Sequence, residues 1–132
     1  MNNKRKVLII DDEPINISLL KAMVEIRMPN YEVMAADDGD NGVDMFLKNK
    51  NNISLVITDL QMPKMDGDEF CTIIRKDEIG KNIPILLFSG NVDMAKNKKA
   101  FNKVFSKPAD GMALMDEGNI LIKDYEKRNI TN

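Results

Sequence analysis

The sequence predicts one α/β domain in which a parallel sheet is wound on both faces by helices. Three observations carry this. Short apolar runs alternate five times with longer segments of helical periodicity, and strand–helix alternation of that kind implies βα units and a doubly wound parallel sheet. Four of the five runs end in residues that bear chemistry, and in such sheets the carboxyl ends of the strands line the ligand crevice. The length, about 130 residues, suits a single domain.

Taken in order, Lys6 to Ile10 reads as a buried strand. Pro14 opens a helix that runs to about Met28, with Ile17, Leu20 and Val24 inward, until Pro29-Asn30 breaks it. Tyr31 to Ala35 is the second strand. Asp40 to about Lys48 is the second helix, with Val43, Phe46 and Leu47 on its inner face. Ile53 to Thr58 is a continuous apolar strand, followed by a helix from Asp66 to Glu78 that turns Phe70, Ile73 and Ile74 inward. Ile83 to Phe88 is the fourth strand, and a fourth helix falls between Asn91 and Ala100. Lys103 to Lys107 makes a short last strand. The final helix, from about Asp110 to Arg128, sets Leu114, Leu121 and Tyr125 on one face, with Gly118 between them where packing is close. The ten methionines need no cofactor, because Met fills core gaps and several, such as Met23 and Met115, fall near apolar helical positions.

The strand ends are the informative positions. Asp59 closes an apolar run and enters a loop containing Pro63 and Gly67. Alone it reads more often as a helix cap or turn residue than as a functional group. Asp11 and Asp12 close the first strand, and one of them suffices to cap the helix that Glu13 and Pro14 open. Brought near Asp59, however, carboxylates repel by roughly 4 kcal/mol per pair at 4 Å and an effective dielectric of 20, so their convergence calls for a hard divalent cation such as Mg²⁺. Ser89-Gly90 offers a small hydroxyl beside a residue with no side chain, suited to an oxyanion or to capping a helix that starts from Asn91. Lys107 ends the last strand just before Pro108, across a bond that can be cis, where its ammonium is either solvated or aimed into the same crevice.

In this chain order the residues resemble the receiver domain of two-component response regulators, and the resemblance covers nearly the whole chain. It implies a flavodoxin-like sheet of five parallel strands in the order 2-1-3-4-5. Asp59 then corresponds to the phosphoacceptor. Asp11, Asp12 and Asp59, with the backbone carbonyl of Gln61, correspond to the ligands of Mg²⁺, Mn²⁺ being the alternative ion. Ser89 corresponds to the switch hydroxyl and Lys107 to the lysine that pairs with the phosphoryl charge. The implied function is to accept a phosphoryl group from a phosphohistidine of a histidine kinase or histidine phosphotransfer protein and to signal to a downstream protein partner. The chain has no histidine, so it is not itself the donor. The residues two places beyond Asp59 and Ser89, Gln61 and Asn91, flank the phosphoryl position, and Gly90 leaves the pocket open.

Two departures from the family pattern bear on output. Val104 stands where the family places an aromatic residue coupled to the switch hydroxyl, and Phe105 faces the other side of its strand. The interval from Ser89 to Lys107 is short, so the fourth helix is shortened. These features favour the alternative reading, a phosphorylation-independent binding module with a receiver fold, which the intact acidic pair, Ser89 and Lys107 oppose. An aspartate-nucleophile phosphatase of the haloacid-dehalogenase type is opposed by Gln61, since such enzymes resemble Asp-x-Asp.

Composition bounds the rest. A formal net charge of −2 argues against a general nucleic-acid surface, and Lys96, Lys98, Lys99 and Lys103, without interleaved aromatics, read as a solvated face. No segment is long and apolar enough to span a membrane and no signal peptide is seen, so the expected location is cytoplasmic. The single cysteine, Cys71, reads as a buried structural thiol. The expected organisation is one receiver domain over residues 1–132, core about 5–128, with no effector domain. Asp11 to Asn16 resembles hybrid-kinase receivers, whereas Met1 and the polar tail Asn129 to Asn132 suit an independent protein.

Overall fold

The computed structural model describes residues 4–108 and 110–130; Met1 and the end of the tail named above fall outside the described residues. Five parallel strands, β1 (Lys6–Ile10), β2 (Glu32–Ala36), β3 (Ile53–Thr58), β4 (Ile85–Ser89) and β5 (Lys103–Ser106), form one sheet in the order β2-β1-β3-β4-β5. That is the topology the sequence implied. Four α-helices cover it: α1 (Pro14–Arg27), α2 (Gly39–Asn49), α3 (Gly67–Arg75) and α4 (Gly111–Asn129).

Strand alternation sorts the apolar side chains into two layers. Leu8, Ile10, Val56 and Leu87 pack with Phe46, Phe70, Cys71 and Ile74 of α2 and α3. Val7, Ile9, Leu55, Ile57 and Phe88 pack with Leu20 and Val24 of α1 and with Leu114, Met115 and Ile122 of α4. β3 is buried over its whole length, as its unbroken apolar run requires. Each such side chain contributes about 1.5–3 kcal/mol on burial, so the two layers together hold the strand ends in place.

The helix starts follow local chemistry. Pro14 fills the first turn of α1, where no N–H partner is needed. The Asp38 carboxylate accepts from Asn41 N–H at the start of α2, 2.8 Å. Asp66 and Glu69 form a reciprocal capping box that starts α3. Three details expected from the sequence are corrected by the fold. Leu47 and Ile73 are 46% and 39% exposed, because the inward faces of α2 and α3 are centred on Gly42 and Phe46, and on Phe70, Cys71 and Ile74. In α4, Met115 and Ile122 join Leu114 and Tyr125 in the core, whereas Leu121 is only partly buried. Finally, α3 stops at Arg75 rather than near Glu78. The Asp77 carboxylate collects the N–H groups of Ile79 and Gly80, both 2.9 Å, and the Arg75 guanidinium binds the carbonyls of Gly80 and Ile83, turning the chain back toward β4.

The shortened fourth helix goes further than shortening. Between β4 and β5 lie two 3₁₀ turns, Val92–Met94 and Lys98–Ala100, and no α-helix. A five-residue strand is about 16 Å long, and an α-helix returning over it needs about 11 residues before its loops are counted. Gly90 to Asn102 leaves almost nothing for loops, so the chain crosses in a more extended form. Asp68 of α3 anchors the crossing by accepting from Lys96 N–H and Asn97 N–H, 2.9 and 3.1 Å. Cys71, buried as expected, donates its thiol to Ala100 O at 3.2 Å.

Candidate phosphoacceptor and metal site

The sheet ladder continues one residue past the strand ends, and that fixes the site. Asp11 N–H bonds Ala36 O at 3.1 Å, Asp59 N–H bonds Ile10 O at 2.9 Å, and Lys107 N–H bonds Ser89 O at 3.0 Å. The functional side chains are thus carried on hydrogen-bonded backbone, not on free loops. Carboxylate oxygens of Asp11, Asp12 and Asp59 lie within 4.8 Å of one another. Asp11 is 1% exposed, with Oδ1 accepting Glu13 N–H at 2.9 Å and Oδ2 accepting the Lys107 ammonium at 2.6 Å. Asp12 is exposed and Asp59 half-buried. Asp59 Oδ1 accepts Leu60 N–H at 2.7 Å, and Oδ2 stands 3.2 Å from Lys107 Nζ.

Lys107 therefore points into the crevice rather than to solvent, its Nζ 5.9 Å from the centroid of the Phe88 ring, and its bond to Pro108 is cis. One ammonium against three carboxylates leaves the crevice with two excess negative charges. At 4.8 Å a like-charged pair costs between about 1 kcal/mol with water-like screening and about 3 kcal/mol at an effective dielectric of 20. A hard cation with oxygen ligands removes that penalty, and the donor set fits Mg²⁺: carboxylates, room for water at exposed Asp12, and a nearby carbonyl on Gln61 that accepts no backbone hydrogen bond among the described residues.

Ser89 is buried at the end of β4, its Oγ accepting Asn91 N–H at 3.2 Å, which leaves the hydroxyl hydrogen to donate. Gln61 and Asn91 meet directly, Asn91 Nδ2 donating to Gln61 Oε1 at 2.9 Å, so the two residues that flank the site bridge its two loops. A β-carbon on Gly90 would meet nothing within 4 Å, so this side of the crevice is open. Val104 packs in the layer beneath α2 and α3 and Phe105 in the opposite layer, as strand alternation requires.

The loop after Asp59 holds what sequence reasoning missed. Lys64 has φ +69°, a left-handed conformation that an L residue with a side chain adopts only at a cost of about 1–3 kcal/mol. Met65 N–H closes a tight turn onto Pro63 O at 2.7 Å, and Gly67 N–H returns to Leu60 O at 2.7 Å. A β-carbon on Gly67 would run into the Asp59 carbonyl oxygen, so only glycine lets α3 begin this close to the acidic cluster. The Pro63 to Gly67 run signalled a turn but not its strain.

An aspartate-bearing loop, an acidic trio and a lysine at the carboxyl ends of a 2-1-3-4-5 sheet define a class, and known proteins agree with it. The model of the response regulator receiver domain family matches residues 7–117, and the chain belongs to that family, as a two-component signal-transduction receiver. It is 36% identical over 94 residues to a probable transcriptional regulator ycf27 of Cyanophora paradoxa, covering 70% of this chain and 36% of that protein. It is 34% identical over 93 residues to hybrid signal transduction histidine kinase D of Dictyostelium discoideum, covering 70% of this chain and 6% of that protein. The chain thus spans about a third or less of the length of these two relatives. Among solved structures, a response regulator receiver domain protein from Clostridium thermocellum superposes with a TM-score of 0.80 at 28% identity, covering 93% of this chain and 98% of the other. The response regulator TrrA from Thermotoga maritima, solved in complex with Mg²⁺-BeF, gives 0.74 at 28% identity, covering 89% and 98%. No described helix is long and apolar enough to cross a membrane.

Proposed function

We propose that residues 5–128 act as one receiver unit that takes a phosphoryl group onto Asp59 from a phosphohistidine of a histidine kinase or phosphotransfer protein. The observation that carries this reading is the contact of Lys107 with Asp59 and Asp11 beside an under-neutralised acidic cluster. An Asp59 carboxylate oxygen attacks phosphorus, the O–P bond forms as the P–N bond breaks, and the departing imidazole takes up a proton. Little covalent help is needed in such a transfer, so positioning and charge dominate. Asp11, Asp12, Asp59 and the Gln61 carbonyl would hold Mg²⁺, which when bound neutralises developing phosphoryl charge. Lys107 balances the remaining charge and the Ser89 hydroxyl donates to a phosphoryl oxygen.

The surface next to the crevice supports a helical partner. Ile15 and Ile26 of α1 are each 75% exposed, and with exposed Leu19 and Ala22 they form a stripe at spacings of four, three and four residues. That spacing fits an apolar seam against a second helix, and Ile15 begins it three residues from Asp12. A helix bearing a phosphohistidine and laid on this stripe reaches the crevice. The second reading, a phosphorylation-independent binding module, is favoured by Val104 and by the lack of an α-helix between β4 and β5. Intact mass spectrometry after incubation with acetyl phosphate and Mg²⁺, or with a phosphorylated kinase, separates the two. A one-phosphate gain that EDTA prevents supports the receiver reading, and no gain from either donor supports the binding module.

A further inference from the structure

At the opposite end of the sheet from Asp59, a cavity of about 650 Å³ opens between α3 and the segments that lead into β4 and β5. Arg75 of α3, Lys81 and Asn82 ahead of β4, and Asn97, Lys99 and Asn102 ahead of β5 line it, and no carboxylate does. Three cations gathered from three segments form a positive pocket on a chain whose net charge is −2. By sequence the lysine run 96–103 reads as a solvated face; the fold sets one member of that run, Lys99, in the same cavity as Arg75 and Lys81.

Hydrogen bonding leaves this pocket rich in donors and poor in acceptors. Arg75 is half-buried without a carboxylate partner, and burial lowers its pKa. It donates to Ala100 O (2.9 Å), Gly80 O (2.9 Å), Ile83 O (2.6 Å) and Asn102 Oδ1 (3.0 Å), four bonds that use four of its five hydrogens. Asn102 Oδ1 also accepts Ile85 N–H at 2.8 Å, so this oxygen is occupied while its NH₂ group has no partner among the described residues. The side-chain amides of Asn82 and Asn97 and the Lys99 ammonium likewise have none. Lys81 is tied only to exposed Glu78, outside the cavity. The pocket thus presents surplus donors and positive charge with no anionic acceptor, on a guanidinium already fixed by four hydrogen bonds.

We infer that this cavity binds a compact polyvalent oxyanion of the diphosphate class, at a site separate from the Asp59 crevice. A guanidinium edge, two ammonium groups and amide donors from three segments match the several oxygens of a polyvalent phosphate. The inference stands independently of the phosphoacceptor reading, because no residue is shared between the two sites.

A ¹H–¹⁵N NMR titration with sodium diphosphate, free of divalent ions and at constant ionic strength, tests it. Saturable shifts are expected at the amides of residues 81–83 and 97–102, with affinity weakened by about tenfold or more in the Lys81→Ala/Lys99→Ala double variant. Both lysines are exposed, so the remainder of the spectrum reports that the fold is kept. Absence of saturable shifts at these amides, shifts confined to the surroundings of Lys107, or unchanged affinity in the double variant would each overturn the inference. Parallel titrations with orthophosphate and with ADP identify the source: tighter binding of ADP than of diphosphate assigns a nucleotide, and equal binding assigns the phosphate groups alone.

Discussion

At the carboxyl end of the sheet three carboxylates gather beside one ammonium that pairs with two of them, whereas at the amino end Arg5, Ser54, Tyr31 and Glu126 balance one another. Arg5 Nε donates to Ser54 Oγ at 2.6 Å and lies 3.4 Å from Glu126 Oε2. The same carboxylate oxygen accepts from Ser54 Oγ at 2.6 Å and Tyr31 Oη at 2.8 Å. The remaining guanidinium nitrogens bind Asn51 O and Ile53 O. This closed network ties the end of α4 to the starts of β2 and β3. Burial, and then the Glu126 carboxylate, raise the Tyr31 phenol above its ordinary pKa. The same residue types thus serve two purposes. Where donors and acceptors cancel, they hold the fold; where they do not, the residual charge is available to a ligand.

Removing the nucleophile has the largest expected effect. Asp59→Ala eliminates phosphate incorporation from acetyl phosphate, read by intact mass, while the far-ultraviolet circular dichroism stays that of the folded chain. Gly67→Ala comes next, because its new methyl group meets the Asp59 carbonyl and displaces the acidic loop. The expected result is a phosphorylation rate lower by about tenfold or more, with stability lost as well, since a displaced catalytic group is as costly as a weakened one.

Glu126→Ala strikes the balanced network instead. Leaving the Ser54 and Tyr31 hydroxyls and Arg5 without their acceptor should cost about 2 kcal/mol in urea unfolding, while phosphorylation of the folded protein is unchanged. Loss of phosphorylation in that variant would break the division between the two ends. The remaining effect is alkaline. Burial pushes the Cys71 thiol up to about 11 from its ordinary value of 9. The unfolded thiol therefore ionises first, and the stability contribution is intact below about pH 9 and falls by up to about 1.4 kcal/mol per pH unit toward 11. Urea midpoints measured across that range should fall, and fall less steeply in Cys71→Ala.

The fold was legible because short, mostly apolar runs mark the strands and helix starts carry local signals, such as Pro14 or the Asp66–Glu69 box. Candidate site residues were legible for the same reason: Asp11, Asp59, Ser89 and Lys107 each follow or close such a run. Less legible was anything decided between segments. Leu47 and Ile73 faced outward because helix rotation is set by the partner surface, not by period alone. The missing fourth helix depends on how far the chain must travel, and its anchor, Asp68, lies on another element. The left-handed Lys64 and the pocket around Arg75 likewise arise from contacts that sequence spacing does not encode.

Thermal unfolding of wild type and Asp12→Asn, with and without Mg²⁺, measures the charge imbalance at the carboxyl end most directly. Without metal, the variant should be more stable by about 1 kcal/mol, since one repulsive partner is gone from an exposed position. With Mg²⁺ the wild type should gain stability in proportion to the logarithm of ion concentration, and the variant should gain much less. A metal-free variant less stable than wild type, or an equal Mg²⁺ response in both proteins, would mean that the three carboxylates are neutralised within the fold and that the crevice is not a cation site.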